Sequence, residues 1–251
     1  MIYFIGAGSG APDLITIRGA HLLREADVII YAGSLVNPVL LEERKENCVI
    51  YNSAKMTLEE VISVMEAAEK NHQTVARLHT GDPCLYGAHR EQMDALDRLG
   101  IPYEVCPGVS SFCGAAAALR AEYTVPGVSQ TVIITRMEGR TPTPDNERIE
   151  ALAAHGVTMV FFLSMGQISA LAIRLLTGGY QPDTPAAIVY KATWDDEIVI
   201  RTTISHMAAD AAQAGITKTA LITIGDFLGD TRTRSCLYDP AFSTEFREAQ
   251  K

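Results

Sequence analysis

Short β-branched, apolar runs alternate with longer stretches of helical periodicity, and that alternation most narrows the folds open to this chain. Ile2–Ile5, Val28–Tyr31, Thr74–Leu78 and Tyr103–Cys106 read as strands. Helices are expected near Thr16–Glu25, His89–Leu99 and Ser110–Leu119, with Gly100 stopping the second of these. Thr57-Leu58-Glu59-Glu60 is a capping box, and behind it Leu58, Val61, Ile62 and Met65 fall on one helical face. Strands separated by helices pair in parallel and are covered on both faces. The expected class is α/β with mostly parallel sheets.

The pattern breaks near Arg120–Ser129, where polar residues, Pro126 and Gly127 interrupt an alanine-rich helix. A domain boundary is placed there, giving an N-terminal α/β domain over 1–119, a C-terminal α/β domain over 125–230 and a loosely attached tail over 231–251. The second half restarts with strand Gln130–Thr135, a Pro-rich loop at Thr141–Pro144 and a helix ending at Gly156. Strands Thr158–Leu163, Ala186–Tyr190 and Ala220–Ile224 follow, with helices Ile168–Leu176 and Ser205–Ala214. Glu197–Thr203 alternates Ile198 and Ile200 with Val199 and Arg201, which suits a sheet edge or an antiparallel pair.

Charge and cysteine usage exclude several functions. The 251 residues carry a net charge of −9, which argues against nucleic acid as a partner because no basic excess is present to displace counterions. Five cysteines without a C-x-x-C spacing suggest neither a disulfide framework nor a zinc site. Met1 runs directly into an apolar strand without the basic start of a signal peptide, and no apolar run approaches the ~20 residues of a membrane span. The expected compartment is the cytoplasm, with no membrane partner.

Two loops stand out. Thr80-Gly81-Asp82-Pro83 and Pro107-Gly108-Val109-Ser110-Ser111 each follow a strand and are rich in small residues, so backbone donors and acceptors are left open at the C-terminal edge of the sheet. Asp82 suits hydrogen bonding to a ligand ammonium or hydroxyl, or the plain capping of the next turn. Ser110 or Ser111 suits the N-cap of the following helix. Gly6-x-Gly8-x-Gly10 lies between strand and helix but misses the G-x-G-x-x-G spacing, and no acidic residue ends the second strand, which disfavours a dinucleotide-dependent oxidoreductase. The six histidines show no metal-ligand spacing, and His79, at a strand end, is the one nearest the loops. Arg136 and Arg140 flank the end of a strand and suit either carboxylate pairing or a solvated loop.

With these loops read, the chain resembles the tetrapyrrole (class III) methyltransferases, which transfer a methyl group from S-adenosylmethionine to a porphyrinoid carbon. The matching segments are Ile5–Thr16, Thr80–Pro83, Pro107–Ser111, Phe162–Gly166 and Val189–Thr193, covering roughly residues 2–229 in order. Position 11 departs from the pattern: Ala11-Pro12-Asp13 stands where many relatives have Gly-Asp-Pro. Within the family, Ile30–Val36, Arg136–Pro142 and Trp194–Glu197 look like the branch acting on corrin precursors in cobalamin synthesis. The resemblance implies two α/β domains with a ligand cleft between them, a homodimer, and a tetrapyrrole as substrate. It places S-adenosylmethionine on Thr80, Gly81, Asp82, Leu85, Ser110, Ser111, Met165, Ala192 and Ala220. It turns Gly8 and Gly10 toward the tetrapyrrole, and Arg136, Arg140 and Lys191 are the cations expected to meet its carboxylate arms. No metal is expected, and no residue is singled out as a general base.

Overall fold

A computed structural model describes residues 1–33, 35–230 and 234–249. Two compact units are present: Met1–Ala115 with Lys191–Glu197, and Ala116–Tyr190 with Ile198–Lys251. This partition differs from the single boundary expected near 120–129, because the segment Lys191–Glu197 packs with the first unit. Ser34 of the matching segment Ile30–Val36, and residues 231–233, 250 and 251 of the expected tail, lie outside the described residues. No helix among the described residues is long and apolar enough to cross a membrane.

The first unit is built on strands β1 (Ile2–Gly6), β2 (Val28–Tyr31), β3 (Val49–Asn52), β4 (Val75–His79) and β5 (Tyr103–Cys106), in the order β3-β2-β4-β1-β5. Every pairing is parallel. Helices α1 (Ile17–Glu25), α2 (Leu58–Lys70), α3 (Arg90–Leu99) and α4 (Ser111–Leu119) connect the strands or follow the last. Side chains alternate along the inner strands β1, β2 and β4, so both faces of the sheet are core there, while the edge strands β3 and β5 are more exposed. Ile2, Phe4, Val28, Ile30 and Val75 pack with Val61 and Met65 of α2 and Leu96 of α3. Ile5, Ile29, Ala76 and Leu78 pack on the other face with Leu23 of α1. Each fully buried side chain of this size contributes about 1.5–3 kcal/mol relative to exposure. The capping box forms as its residues require: Glu60 Oε2 accepts from Thr57 N at 2.7 Å and Thr57 Oγ1 accepts from Glu60 N at 3.3 Å. Strand β3 has no counterpart in the sequence reading, since it is four residues long and only half-buried.

The second unit holds β6 (Val132–Arg136), β7 (Thr158–Phe162), β8 (Pro185–Tyr190), β9 (Ile198–Thr203) and β10 (Ala220–Ile224), in the order β6-β7-β10-β8-β9. The α/β class holds, but this sheet is mixed rather than mostly parallel. β6 and β7 are parallel, whereas β10 runs against both β7 and β8, and β9 runs against β8. The connection from β8 to β9 is too short for a helical crossover, so those strands return antiparallel, with β9 at the edge. Helices α5 (Ile149–Ala153), α6 (Ile168–Thr177) and α7 (Met207–Gln213) cover one face through Ile149, Leu171, Leu175, Met207 and Ala211.

Candidate active site

β4, β1 and β5 lie side by side and parallel, so the loops leaving their C-terminal ends emerge together. Glycine lets those loops touch backbone to backbone. A Cβ on Gly6 would lie 2.6 Å from both the Gly108 Cα and the Gly81 carbonyl oxygen. Gly8 and Gly81 donate their amides to each other's carbonyls at 3.2 and 3.1 Å, and Ala7 N donates to His79 O at 2.7 Å. Gly81 has φ +62°, a conformation that glycine adopts freely. Thr80, Gly81, Asp82, Ser110 and Ser111 are thus brought to one place, with Leu85 on the turn that follows.

Asp82 performs the capping role and a second one. One carboxylate oxygen accepts from Cys84 N and the other from Gly108 N, both at 2.8 Å, so the side chain ties the β4 loop to the β5 loop. Desolvation works to raise its pKa, but hydrogen bonds from Cys84 and Gly108 outweigh that and hold it below the ordinary carboxylate value. Beneath the loop lies a buried basic cluster. Arg77 donates through Nε to Gln92 Oε1 at 3.0 Å and through Nη1 to Ile30 O at 3.2 Å, and burial lowers its pKa to about 10. His79 is buried, pushed down to about 3 by desolvation with Arg77 and His89 adding, and its Nε2 has no hydrogen-bond partner among the described residues. It is a neutral core histidine packed against the tilted ring of Phe4 and edge-on to His89.

The segment Lys191–Glu197 completes this unit's site. Thr193 Oγ1 accepts from Ala11 N at 2.9 Å and lies 3.2 Å from Ser9 Oγ. The Trp194 ring lies against Gly10, where a Cβ would come within 2.2 Å of Cδ1 and 2.5 Å of the Ala192 carbonyl oxygen. Lys191 pairs with Asp196 and sits 5.2 Å above the Trp194 ring. Gly8, Gly10, Lys191 and Ala192 therefore gather around one loop. Ser9, Thr193 and Trp194 were not singled out as site residues from the sequence; Thr193 and Trp194 stood in matching segments, but their partner residues lie far away in the chain.

In the second unit the expected residues share one sheet edge. Arg136 ends β6, Met165 follows β7, and Ala220 opens β10 opposite Tyr190, because β10 runs against its neighbours. Buried Ser164 accepts from Met137 N at 2.8 Å and donates to Phe162 O at 2.7 Å, which joins the β6 and β7 loops. Arg136 turns its guanidinium onto the carbonyls of Met137, Thr141 and Pro142 at 2.9–3.2 Å, while Arg140 is exposed. Glu138, between them, pairs with Arg174. Non-glycine residues with positive φ cluster at these loops. Apart from His72 and Arg120 at helix ends, the instances among the described residues are Tyr86, Ala88, Leu163, Lys191, Thr193 and Thr219. Such backbone costs about 1–3 kcal/mol each and collects at ligand sites.

A profile of the tetrapyrrole (corrin/porphyrin) methylases matches residues 1–208. The chain belongs to this family. Among relatives of this methylase, a cobalt-precorrin-4 C(11)-methyltransferase from Methanocaldococcus jannaschii is 51% identical over 251 residues, covering 100% of this chain and 97% of the relative. The X-ray structure of the cobalamin biosynthetic enzyme CbiF, a cobalt precorrin-4 methyltransferase, matches with a TM-score of 0.89 at 44% identity, over 90% of this chain and 95% of that one. A uroporphyrin-III C-methyltransferase from Thermus thermophilus, complexed with S-adenosylhomocysteine, matches with a TM-score of 0.75 at 26% identity, over 93% and 95%.

Proposed function

We propose that this methylase transfers a methyl group from S-adenosylmethionine to C-11 of precorrin-4 or cobalt-precorrin-4 in cobalamin biosynthesis, as a homodimer. The observation that carries the reading is the 51% identity maintained along the whole chain to a cobalt-precorrin-4 C(11)-methyltransferase. The S-adenosylhomocysteine held by a relative of the same fold supports the choice of cofactor.

The first unit's residues fit such a cofactor. Gly81 leaves bare backbone beside Ser110 and Ser111, where an added Cβ would stand 3.4 Å from the Ser110 Cα and Ser111 N. Thr80, Gly81, Asp82, Leu85, Ser110, Ser111 and Ala192 are assigned to the cofactor, together with Met165 and Ala220 of the second unit. The tetrapyrrole is assigned to Gly8, Gly10, Arg136, Arg140 and Lys191. When bound, the sulfonium supplies an activated methyl with a good leaving group, so no side-chain nucleophile is required. The chain's task is alignment for in-line transfer and exclusion of water. Asp82 serves by locking the two glycine loops in register. The quaternary carbon formed at C-11 releases no proton, and no side chain is assigned as a base.

The test is incubation with methyl-labelled S-adenosylmethionine and either precorrin-4 or cobalt-precorrin-4, followed by NMR location of the label. A label at C-11 is expected. A label on another carbon overturns the position, and absence of transfer alongside tight NAD binding overturns the reaction class.

A further inference from the structure

The Gly8–Ala11 loop is held largely from outside itself. Asn37 Nδ2 donates to the Gly10 carbonyl at 3.1 Å on one side. On the other side stands Thr193, whose hydroxyl receives the Ala11 amide at 2.9 Å and meets Ser9 Oγ at 3.2 Å. Thr193 is itself pinned, since its amide donates to Glu197 Oε2 at 2.6 Å and Trp194 N donates to Lys191 O at 3.0 Å. Lys191 and Thr193, with φ +46° and +68°, flank Ala192. A β-branched residue in that backbone region has few ways to relax, so a shift at Ala192 carries the Thr193 hydroxyl with it. Gly114 leaves no slack on the far side, because a Cβ there would stand 2.7 Å from the Ser9 Cβ and 3.2 Å from the Thr193 Cγ2.

Resting on the methyltransferase reading above, we infer that Thr193 is a positioning residue which couples the two ligands of the reaction. Ala192 is assigned to the cofactor and the Gly8–Ala11 loop to the tetrapyrrole, and the Thr193 hydroxyl is a polar link between them, beside the close packing of the Ala192 carbonyl on Gly10. Cofactor at Ala192 sets the hydroxyl, the hydroxyl sets Ser9 and Ala11, and the loop presents its bare backbone to the macrocycle. The coupling is reciprocal, so tetrapyrrole tightens cofactor binding by the same factor.

The experiment compares wild type, Thr193→Val and Thr193→Ser. It measures S-adenosylhomocysteine affinity by calorimetry with and without the tetrapyrrole that wild type methylates, and the KM of that tetrapyrrole. In wild type the tetrapyrrole should tighten S-adenosylhomocysteine by about fivefold or more. Thr193→Val, close in shape but without the hydroxyl, should bring that factor to about one and raise the tetrapyrrole KM about tenfold. Its affinity for S-adenosylhomocysteine alone should be unchanged. Thr193→Ser should restore both quantities. Trp194 is the only tryptophan in the chain and touches Gly10, so S-adenosylhomocysteine alone should alter its emission in wild type. Where Thr193→Val does not fold, Ser9→Ala removes one hydroxyl contact and should lower the coupling factor. Unchanged KM and coupling in the soluble variant overturn the inference, as does equal loss of both ligands without rescue by serine. Those results leave the methyltransferase reading standing, whereas a wild type that methylates neither tetrapyrrole overturns that reading and the inference with it.

Discussion

Adding one methyl group at Gly108 tests whether glycine packing is what joins the three strand ends. A Cβ there would lie 2.2 Å from the Gly81 carbonyl oxygen, 2.7 Å from the Gly6 Cα and 2.9 Å from the Gly6 carbonyl carbon. Non-bonded atoms settle near 3.5 Å, so the β5 loop would have to retreat by about 1 Å from backbone that cannot rotate away as a side chain can. That movement stretches the 2.8 Å bond from Gly108 N to Asp82 and disturbs the paired Gly8 and Gly81 amides. Overpacking costs about 1–3 kcal/mol and each weakened hydrogen bond about 0.5–1.5 kcal/mol, giving about 2–5 kcal/mol for Gly108→Ala. This is a large part of the roughly 5–15 kcal/mol that holds a typical domain together. Urea unfolding should show the midpoint falling with an unchanged slope. Gly166→Ala is the control, since nothing among the described residues lies within 4 Å of its added Cβ beyond its chain neighbours, and it should stay within about 0.5 kcal/mol of wild type. A Gly108→Ala loss below about 1 kcal/mol, against that control, would refute the argument that close backbone approach fixes these loops.

Asp82→Asn should destabilise the protein by about 1–2 kcal/mol at pH 7, because the depressed carboxylate loses its charge-assisted bonds to Cys84 and Gly108. A lowered folded pKa contributes stability that is full above the unfolded value of about 3.9 and disappears as pH falls through the folded one, so the gap to wild type should close below about pH 4. Urea midpoints at neutral and acidic pH check this, and a gap of constant size would show that the charge is irrelevant. Arg136 and Arg140 separate by their surroundings: Arg140→Ala should raise the tetrapyrrole KM about tenfold at unchanged stability, whereas Arg136→Ala should also lower stability by about 1–2 kcal/mol through its three carbonyl partners. Steady-state kinetics and urea titration on both variants decide it; wild-type KM in each would place the anion site elsewhere.

Much of the first unit is determined by the sequence itself, because its signals act over a few residues. Strict alternation in Ile2–Ile5 and Val28–Tyr31 sends successive side chains into two cores, Thr57 and Glu60 close their capping box, and Gly100 ends α3 at φ +65°. The Gly/Pro loops after β4 and β5 and the motif segments pointed to the same family that the profile match establishes. The antiparallel edge placement of β9 was legible in the alternation of Glu197–Thr203, but the direction of β10 was not, because pairing β10 between β7 and β8 is a choice among distant partners with equal local propensity. The dual role of Asp82 was half visible: its cap to Cys84 spans two residues, but its bond to Gly108 spans 26. The same limit hid Thr193 and Trp194. Nothing near either residue announces that a hydroxyl will take the Ala11 amide or that an indole will rest on Gly10. Only the folded chain brings positions more than 180 residues apart to within a hydrogen bond, and it does so because Lys191–Glu197 belongs to the first compact unit.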